Sequence, residues 1–66
     1  MKVYLINDTI INLEQVQYID TVETGRDEIT IWFHFKNTAE SVAAKVAKNQ
    51  VSKILTECFE LMKKGD

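Results

Sequence analysis

The chain has 66 residues, of which 45% are hydrophobic and 27% are charged, and its formal net charge is -2. This composition is typical of one small globular domain and excludes a disordered tail, while the acidic balance disfavours nucleic acid as a partner because phosphate backbones require a basic surface. A domain this short lies near the lower size limit for folding alone, so oligomerisation is an expected source of stability.

The beginning of the chain predicts a β-hairpin with strands at residues 2–6 and 9–13. β-branched and aromatic residues flank Asn7-Asp8, a pair that is typical of tight turns. The apolar run before this pair has four residues, which is too short for the core of a secretion signal. No stretch approaches the roughly 20 apolar residues of a membrane helix. We therefore expect a cytoplasmic protein without a membrane contact.

A longer hairpin is predicted from strands at residues 16–24 and 27–36, on either side of Gly25. A two-residue turn at Gly25-Arg26 sets Thr24 opposite Asp27 and fixes the register of the two strands. The pairs expected on the core face are Val16 with Phe35, Tyr18 with Phe33 and Val22 with Ile29. The pairs expected on the second face are Ile19 with Trp32, Gln17 with His34 and Thr21 with Thr30. In this register Glu23 opposes Glu28, which is mildly unfavourable.

Residues 38–64 can be interpreted as one long helix or as a strand followed by a helix. Their alanine and lysine content favours the long helix. However, the apolar stripes of the two halves point about a quarter-turn apart at about 100° per residue, so one straight helix cannot aim both at a single sheet. We therefore favour a strand at residues 41–47 and a helix at residues 50–64. Asn49 is its predicted N-cap, and Lys63, Lys64 and Gly65 are expected at its end.

The predicted fold is α+β: an antiparallel four- or five-stranded β-meander packed on one C-terminal α-helix, in a single domain of residues 1–66. The helix is expected to contact the sheet through Val51, Ile54, Leu55, Cys58 and Met62. The sheet residues expected to face it are Val16, Tyr18, Val22, Ile31, Phe33 and Phe35.

The run INLEQV, the following hairpin and strand, and the terminal pattern VSKILTECFELM resemble many small bacterial and phage proteins built as an antiparallel meander plus one helix. The resemblance spans most of the chain and rests on apolar spacing. It implies the fold and brings no catalytic or binding motif, so it implies nothing about function.

The residues that usually carry chemistry are scarce, since the chain has one His and one Cys. A metal centre or a nucleophilic enzyme needs several converging groups, so we predict no enzyme, no metal and no cofactor. A single cysteine excludes an internal disulfide, and Cys58 is expected to be a small buried hydrophobe on the helix. The carboxylates of Asp20, Glu23, Asp27 and Glu28 surround one hairpin tip. They form a candidate acidic patch, although their spacing matches no calcium-binding loop.

The second face of the long hairpin is the stronger candidate for a contact surface. Trp is common at interface hot spots, and a sheet face with a Trp beside an aliphatic residue is expected to be covered, either by a loop or the first hairpin of the same chain or by a partner. The candidate interface residues are Ile19, Trp32, His34 and Lys36 on this part of the sheet and Phe59 on the helix, whose apolar arc is wider than one sheet contact requires. The predicted function is a small non-enzymatic module that binds a protein partner or itself, as a dimer. One alternative is an acidic inhibitor or regulator, phage-borne in one version, that occupies a basic site on a partner. A nucleic-acid-binding protein is a third interpretation.

Overall fold

The computed structural model describes residues 2–64, which form five antiparallel strands and one C-terminal helix. The strands are β1 (Val3–Ile6), β2 (Thr9–Asn12), β3 (Val16–Glu23), β4 (Glu28–Phe35) and β5 (Ser41–Ala47), and the helix is α1 (Val51–Lys63). β1 and β2 form a two-stranded sheet, whereas β3, β4 and β5 form a three-stranded meander. The predicted α+β fold is confirmed, and residues 41–47 are a strand rather than the start of a long helix.

The β1–β2 hairpin closes at Asn7 and Asp8, whose φ angles are 47° and 64°. Two consecutive residues in the left-handed region are the mark of a type I′ turn, which Asn and Asp tolerate better than most side chains. In the resulting register Leu5 opposes Ile10. Ile6 and Ile11 point to the other face of this hairpin, where both are buried.

The pairing of β3 with β4 begins as expected and then shifts by one residue. Val16 opposes Phe35, but a bulge lies between Val16 and Tyr18, and Tyr18 then opposes His34 instead of Phe33. Because side chains alternate along a strand, one extra residue moves every later side chain of β3 to the opposite face.

The bulge corrects several predictions about β3. Ile19 opposes Phe33 on the core face, so its predicted pairing with Trp32 is wrong. Gln17 sits in the bulge, and its predicted pairing with His34 is also wrong. Tyr18 and Val22 were expected in the core, but they lie on the opposite face and are 51% and 48% exposed.

The tip of the long hairpin differs from the predicted two-residue turn. β3 ends at Glu23 and β4 begins at Glu28, and the backbone N–H groups of Thr24 and Gly25 donate to the Glu28 carbonyl at 3.2 and 3.3 Å. Thr24 is therefore aligned with Glu28 and not with Asp27. Glu23 now opposes Ile29, which removes the like-charge pair of the predicted register.

The helix begins at Val51, one residue later than predicted. Lys48–Gln50 form a 3₁₀ turn that leads into α1, and the N-cap of α1 is Gln50, whose side chain makes no capping hydrogen bond. The prediction of Asn49 as the N-cap is wrong because the 3₁₀ turn includes this residue. Lys64 leaves the helix in an extended conformation, and the predicted closure at Gly65 lies outside the described residues.

The core lies between the three-stranded sheet on one side and the first hairpin and helix on the other. It contains Ile6, Ile11, Leu13, Val16, Ile31, Phe33, Ala44, Ile54 and Cys58. Phe33 and Ile31 at the centre of β4 are fully buried. The hairpin and the helix both pack on this inner face of the sheet, so neither contributes core residues to the outer face.

Two phenylalanines provide a matched test of this packing. Phe33 is fully buried, whereas Phe59 on α1 is 61% exposed. We expect Phe33→Ala to lower the free energy of unfolding by about 3–5 kcal/mol, because it leaves a cavity in the core. Phe59→Ala should lower it by less than about 1 kcal/mol. Urea unfolding followed by Trp32 fluorescence measures both values, and equal losses would contradict the proposed core. Should Phe33→Ala not fold, Phe33→Leu provides the comparison.

Candidate interaction surface

The outer face of the three-stranded sheet carries side chains from all three strands. We define it as Tyr18, Asp20 and Val22 of β3, Thr30, Trp32 and His34 of β4, and Ser41, Ala43 and Lys45 of β5. Asp20 and Ala43 oppose Trp32 on its two sides. Trp32 is half-buried, and Tyr18 and Val22 remain about half exposed at the β3 side. This face therefore presents aromatic and aliphatic surface beside a small polar cluster.

The polar cluster joins the three strands through the imidazole of His34. One ring nitrogen, Nε2, lies 3.0 Å from Asp20 Oδ1, and the other, Nδ1, lies 3.0 Å from Ser41 Oγ. With Asp20 ionised, Nε2–H donates to the carboxylate, and Nδ1 accepts the hydrogen bond of the serine hydroxyl. Both ring nitrogens thus have partners, which fixes the orientation of the ring.

Three rings follow one another across this face. The Tyr18 ring is stacked on the His34 ring, with centroids 4.2 Å apart and an interplanar angle of 13°. The Trp32 and His34 centroids are 6.4 Å apart at an angle of 25°. Offset stacking of this kind is favourable beyond the area it buries. The row of rings and the polar cluster together order the outer face.

The members of this surface that the sequence reasoning missed include Tyr18, Asp20, Val22 and Ser41. Tyr18 was assigned to the core by the register without a bulge, and Asp20 was assigned to the hairpin tip. Ser41 reaches His34 only because β5 aligns with β4, which depends on the loop that contains Asn37 in a left-handed conformation (φ 60°). The signal that could have revealed the shift was the unfavourable opposition of Glu23 and Glu28 in the predicted register.

The five residues predicted at the interface do not lie on one face. Trp32 and His34 are on the outer face, whereas Ile19 is partly buried against the core. Lys36 lines a separate shallow groove that also involves Lys2 and Met62. Phe59 is exposed on the helix, where the Lys63 Nζ lies 5.2 Å from the centre of its ring. The structure therefore brings together two of the five residues.

The carboxylates of the predicted acidic patch are divided between different surroundings. Asp20 contacts His34 on the outer face, and Glu23 accepts a hydrogen bond from Lys48 Nζ at 2.9 Å. Glu28 accepts one from the Thr24 hydroxyl at 3.3 Å. Within residues 2–64, no group of three or more His, Cys, Asp or Glu side chains is arranged to hold a metal ion. Asp27 lines a groove with Ala47, Lys48 and Asn49.

A second exposed apolar patch lies on the first hairpin. Leu5 and Ile10 oppose each other across the two strands and are 67% and 71% exposed, and Val3 is exposed on the same face. We call these three residues the hairpin patch. Sequence reasoning missed it, although apolar residues on both faces of VYLI and TIIN were the available signal.

Comparisons with protein-family models, with curated proteins and with solved structures find no match to this chain. Among residues 2–64, no helix is long and apolar enough to cross a membrane.

The thiol of Cys58 provides a test of core electrostatics. Cys58 is free and buried, and burial together with the nearby Glu57 carboxylate raises its pKa from 9.0 to about 11. A raised pKa means that the folded state retains the proton longer, so this contribution to stability is complete below about pH 9 and is lost as the pH rises through about 11.

We expect Cys58→Ala to reduce the loss of stability between about pH 9 and 11 relative to the wild type, even though the substitution weakens packing at every pH. Urea unfolding at a series of pH values measures the difference between the two proteins. The comparison is made in the Tyr4→Phe background, because Tyr4 also titrates, its pKa raised to about 12 by burial, by its hydrogen bond to Glu57 and in part by the charge of Cys58 itself. Parallel stability curves would contradict the assignment.

Proposed function

We propose that this chain is a small, non-enzymatic protein-interaction module of the cytoplasm that self-associates through the β3 side of its outer face. The observation that carries the proposal is the exposure of Tyr18 and Val22 beside the half-buried Trp32, on a sheet face to which the hairpin and helix contribute no core residue. Aromatic side chains with large contact areas are typical of interface hot spots.

Two further features favour a second copy of the chain as the partner. The domain is small, and its core consists of a single layer between the sheet and the hairpin and helix, so additional burial by association is a natural source of stability. The one carboxylate on the outer face, that of Asp20, is paired with His34 within the same chain. Two such faces can therefore approach without two unpaired carboxylates meeting.

The Ser41–His34–Asp20 cluster needs a separate interpretation, because the same three side chains serve in hydrolase triads. We assign it a positioning role instead. A triad also depends on donors placed where negative charge develops on the substrate, whereas this cluster lies on a flat sheet face at a shallow groove. The Tyr18 ring also stacks on one side of the imidazole. The cluster holds His34 in place beneath Tyr18.

Self-association is tested by sedimentation velocity on the wild type from about 1 to 500 μM. We expect a dimer within this range, and we expect Tyr18→Ser to weaken it by about tenfold or more, which corresponds to about 1.4 kcal/mol. The matched control is Leu5→Ser in the hairpin patch, which removes an even more exposed apolar side chain and should leave association unchanged. A wild type that stays monomeric, or a dimer lost only in Leu5→Ser, would contradict the proposal.

The positioning role of the polar cluster is tested with an activated ester such as p-nitrophenyl acetate. We expect wild type and Ser41→Ala to hydrolyse it at the same low background rate, because the serine hydroxyl orients His34 and attacks no substrate. A rate that depends on Ser41 and exceeds the background by about a hundredfold, the usual minimum contribution of a positioned base, would contradict a non-enzymatic function.

A further inference from the structure

The direction of the backbone groups along β3 follows from one hydrogen bond at the hairpin tip. In an antiparallel pair, the N–H and C=O groups of successive residues point alternately towards the partner strand and away from it. Thr24 N–H donates to the Glu28 carbonyl in the same register as the strand pairs. The backbone N–H and C=O groups of Tyr18, Asp20 and Val22 therefore point to β4. Ile19, Thr21 and Glu23 direct their backbone groups outward.

The other edge of the same sheet, β5, is capped by the first hairpin. Lys48 N–H donates to the Asp27 carbonyl at 2.8 Å, in the register of β4 and β5. By the same alternation, the carbonyl of Lys45 points away from β4. Asn7 Nδ2 donates to this carbonyl at 2.7 Å. The turn of the first hairpin thus occupies an outward acceptor of β5.

The β3 edge has no such cap within the described residues. β3 pairs with β4 alone, and no hydrogen bond found within residues 2–64 reaches the outward backbone groups of Ile19, Thr21 or Glu23. Natural edge strands commonly carry Lys, other charged side chains, Pro or a bulge to prevent pairing with another chain. The sequence VQYIDTVE has neither Lys nor Pro, and its bulge lies at the first residues of the strand, before Ile19. Its valine, isoleucine, tyrosine and threonine residues are strong strand formers.

We propose that two copies of this chain pair antiparallel through their β3 edges, with Thr21 at the twofold axis, to form one continuous sheet. This inference rests on the proposed function and specifies how the self-association occurs. A twofold axis perpendicular to the sheet keeps the outer faces of both copies on the same side. The two Tyr18, Val22 and Trp32 clusters then belong to one joined surface.

Thr21 is the centre that the side chains of β3 favour. A centre at Asp20 would set the two Asp20 carboxylates directly opposite, which is destabilising. A centre at Ile19 would set Gln17, which lies in the bulge, opposite Thr21 of the second copy, and the bulge would interrupt the new ladder. A centre at Thr21 avoids both problems, since it sets Asp20 opposite Val22 of the second copy and Ile19 opposite its Glu23.

The outward groups also match in this register. Thr21 meets Thr21 of the second copy, and Ile19 meets Glu23, so residues with outward N–H and C=O groups face each other. Such opposed residues exchange two hydrogen bonds each in an antiparallel ladder. The two acidic side chains of the edge are paired within their own chain, Asp20 with His34 and Glu23 with Lys48. These pairs reduce the repulsion between two acidic edges.

The register is tested by charge substitutions at the axis. Thr21 is exposed and its N–H bonds no neighbour among residues 2–64, so Thr21→Lys and Thr21→Glu should both fold, as circular dichroism can verify. Each variant alone places like charges opposite each other, and we expect each dimer to be weakened by about tenfold. An equimolar mixture places Lys opposite Glu, and we expect it to recover wild-type association. Thr56→Lys, on the exposed side of α1, is the matched control and should associate normally.

Hydrogen exchange supplies an independent readout on the wild type. The amides of Ile19, Thr21 and Glu23 should gain protection as the concentration rises through the dimerisation range, while those of Asp20 and Val22 are protected throughout.

The outcomes separate this inference from the proposed function. A dimer that persists in both Thr21 variants, a mixture no stronger than its components, or outward amides without concentration-dependent protection would overturn the edge pairing and leave self-association standing. A monomeric wild type would overturn both.

Discussion

The bulge between Val16 and Tyr18 determines which side chains of β3 enter the core and which lie on the outer face of the sheet. A strand alternates its side chains with a period of two, so a single extra residue exchanges the two faces for every position that follows. Ile19 enters the core layer because of this residue. Tyr18 and Val22 are placed on the outer face for the same reason, where Tyr18 can stack on His34.

The first hairpin and the helix both pack on the inner side of the three-stranded sheet, and this arrangement affects the outer face. The first hairpin contributes Ile6 and Ile11 to the inner face, and the helix contributes Ile54 and Cys58. With both on that side, neither is left to cover the outer face. The same arrangement places Asn7 against the edge of β5, so one edge of the sheet is capped, whereas the β3 edge is open among residues 2–64. The uncovered face and the open edge meet at β3.

The features that could be predicted from the sequence are those set by neighbouring residues. The turn at Asn7 and Asp8 and the runs of β-branched residues are local signals, and the five strands and the helix follow from them. The quarter-turn between apolar stripes correctly separated β5 from the helix. The opposition of Glu23 and Glu28 signalled that the predicted register was unfavourable, but it did not locate the bulge, because the bulge is favoured by a tertiary contact, the burial of Ile19 against the core.

The candidate site also combines features set by neighbouring residues with features set by tertiary contacts. Trp32 and His34 were identified because they lie two residues apart on one strand, so their side chains are on the same face. Asp20 and Ser41 come to His34 from two other strands, so their positions depend on two registers at once. Asn49 was a reasonable cap by residue type, but a 3₁₀ turn before the helix moved the cap to Gln50.

The polar cluster and the open edge are connected through preorganisation. His34 is hydrogen-bonded to Asp20 on β3 and to Ser41 on β5, and Tyr18 of β3 stacks on its ring. Side-chain contacts therefore hold the edge strand to both of the other strands in addition to its backbone ladder. A strand held in this way loses less conformational freedom when it pairs with another chain, and less of the interaction energy is lost to ordering. The residues that resemble a catalytic triad thus make physical sense as the support of the proposed pairing edge.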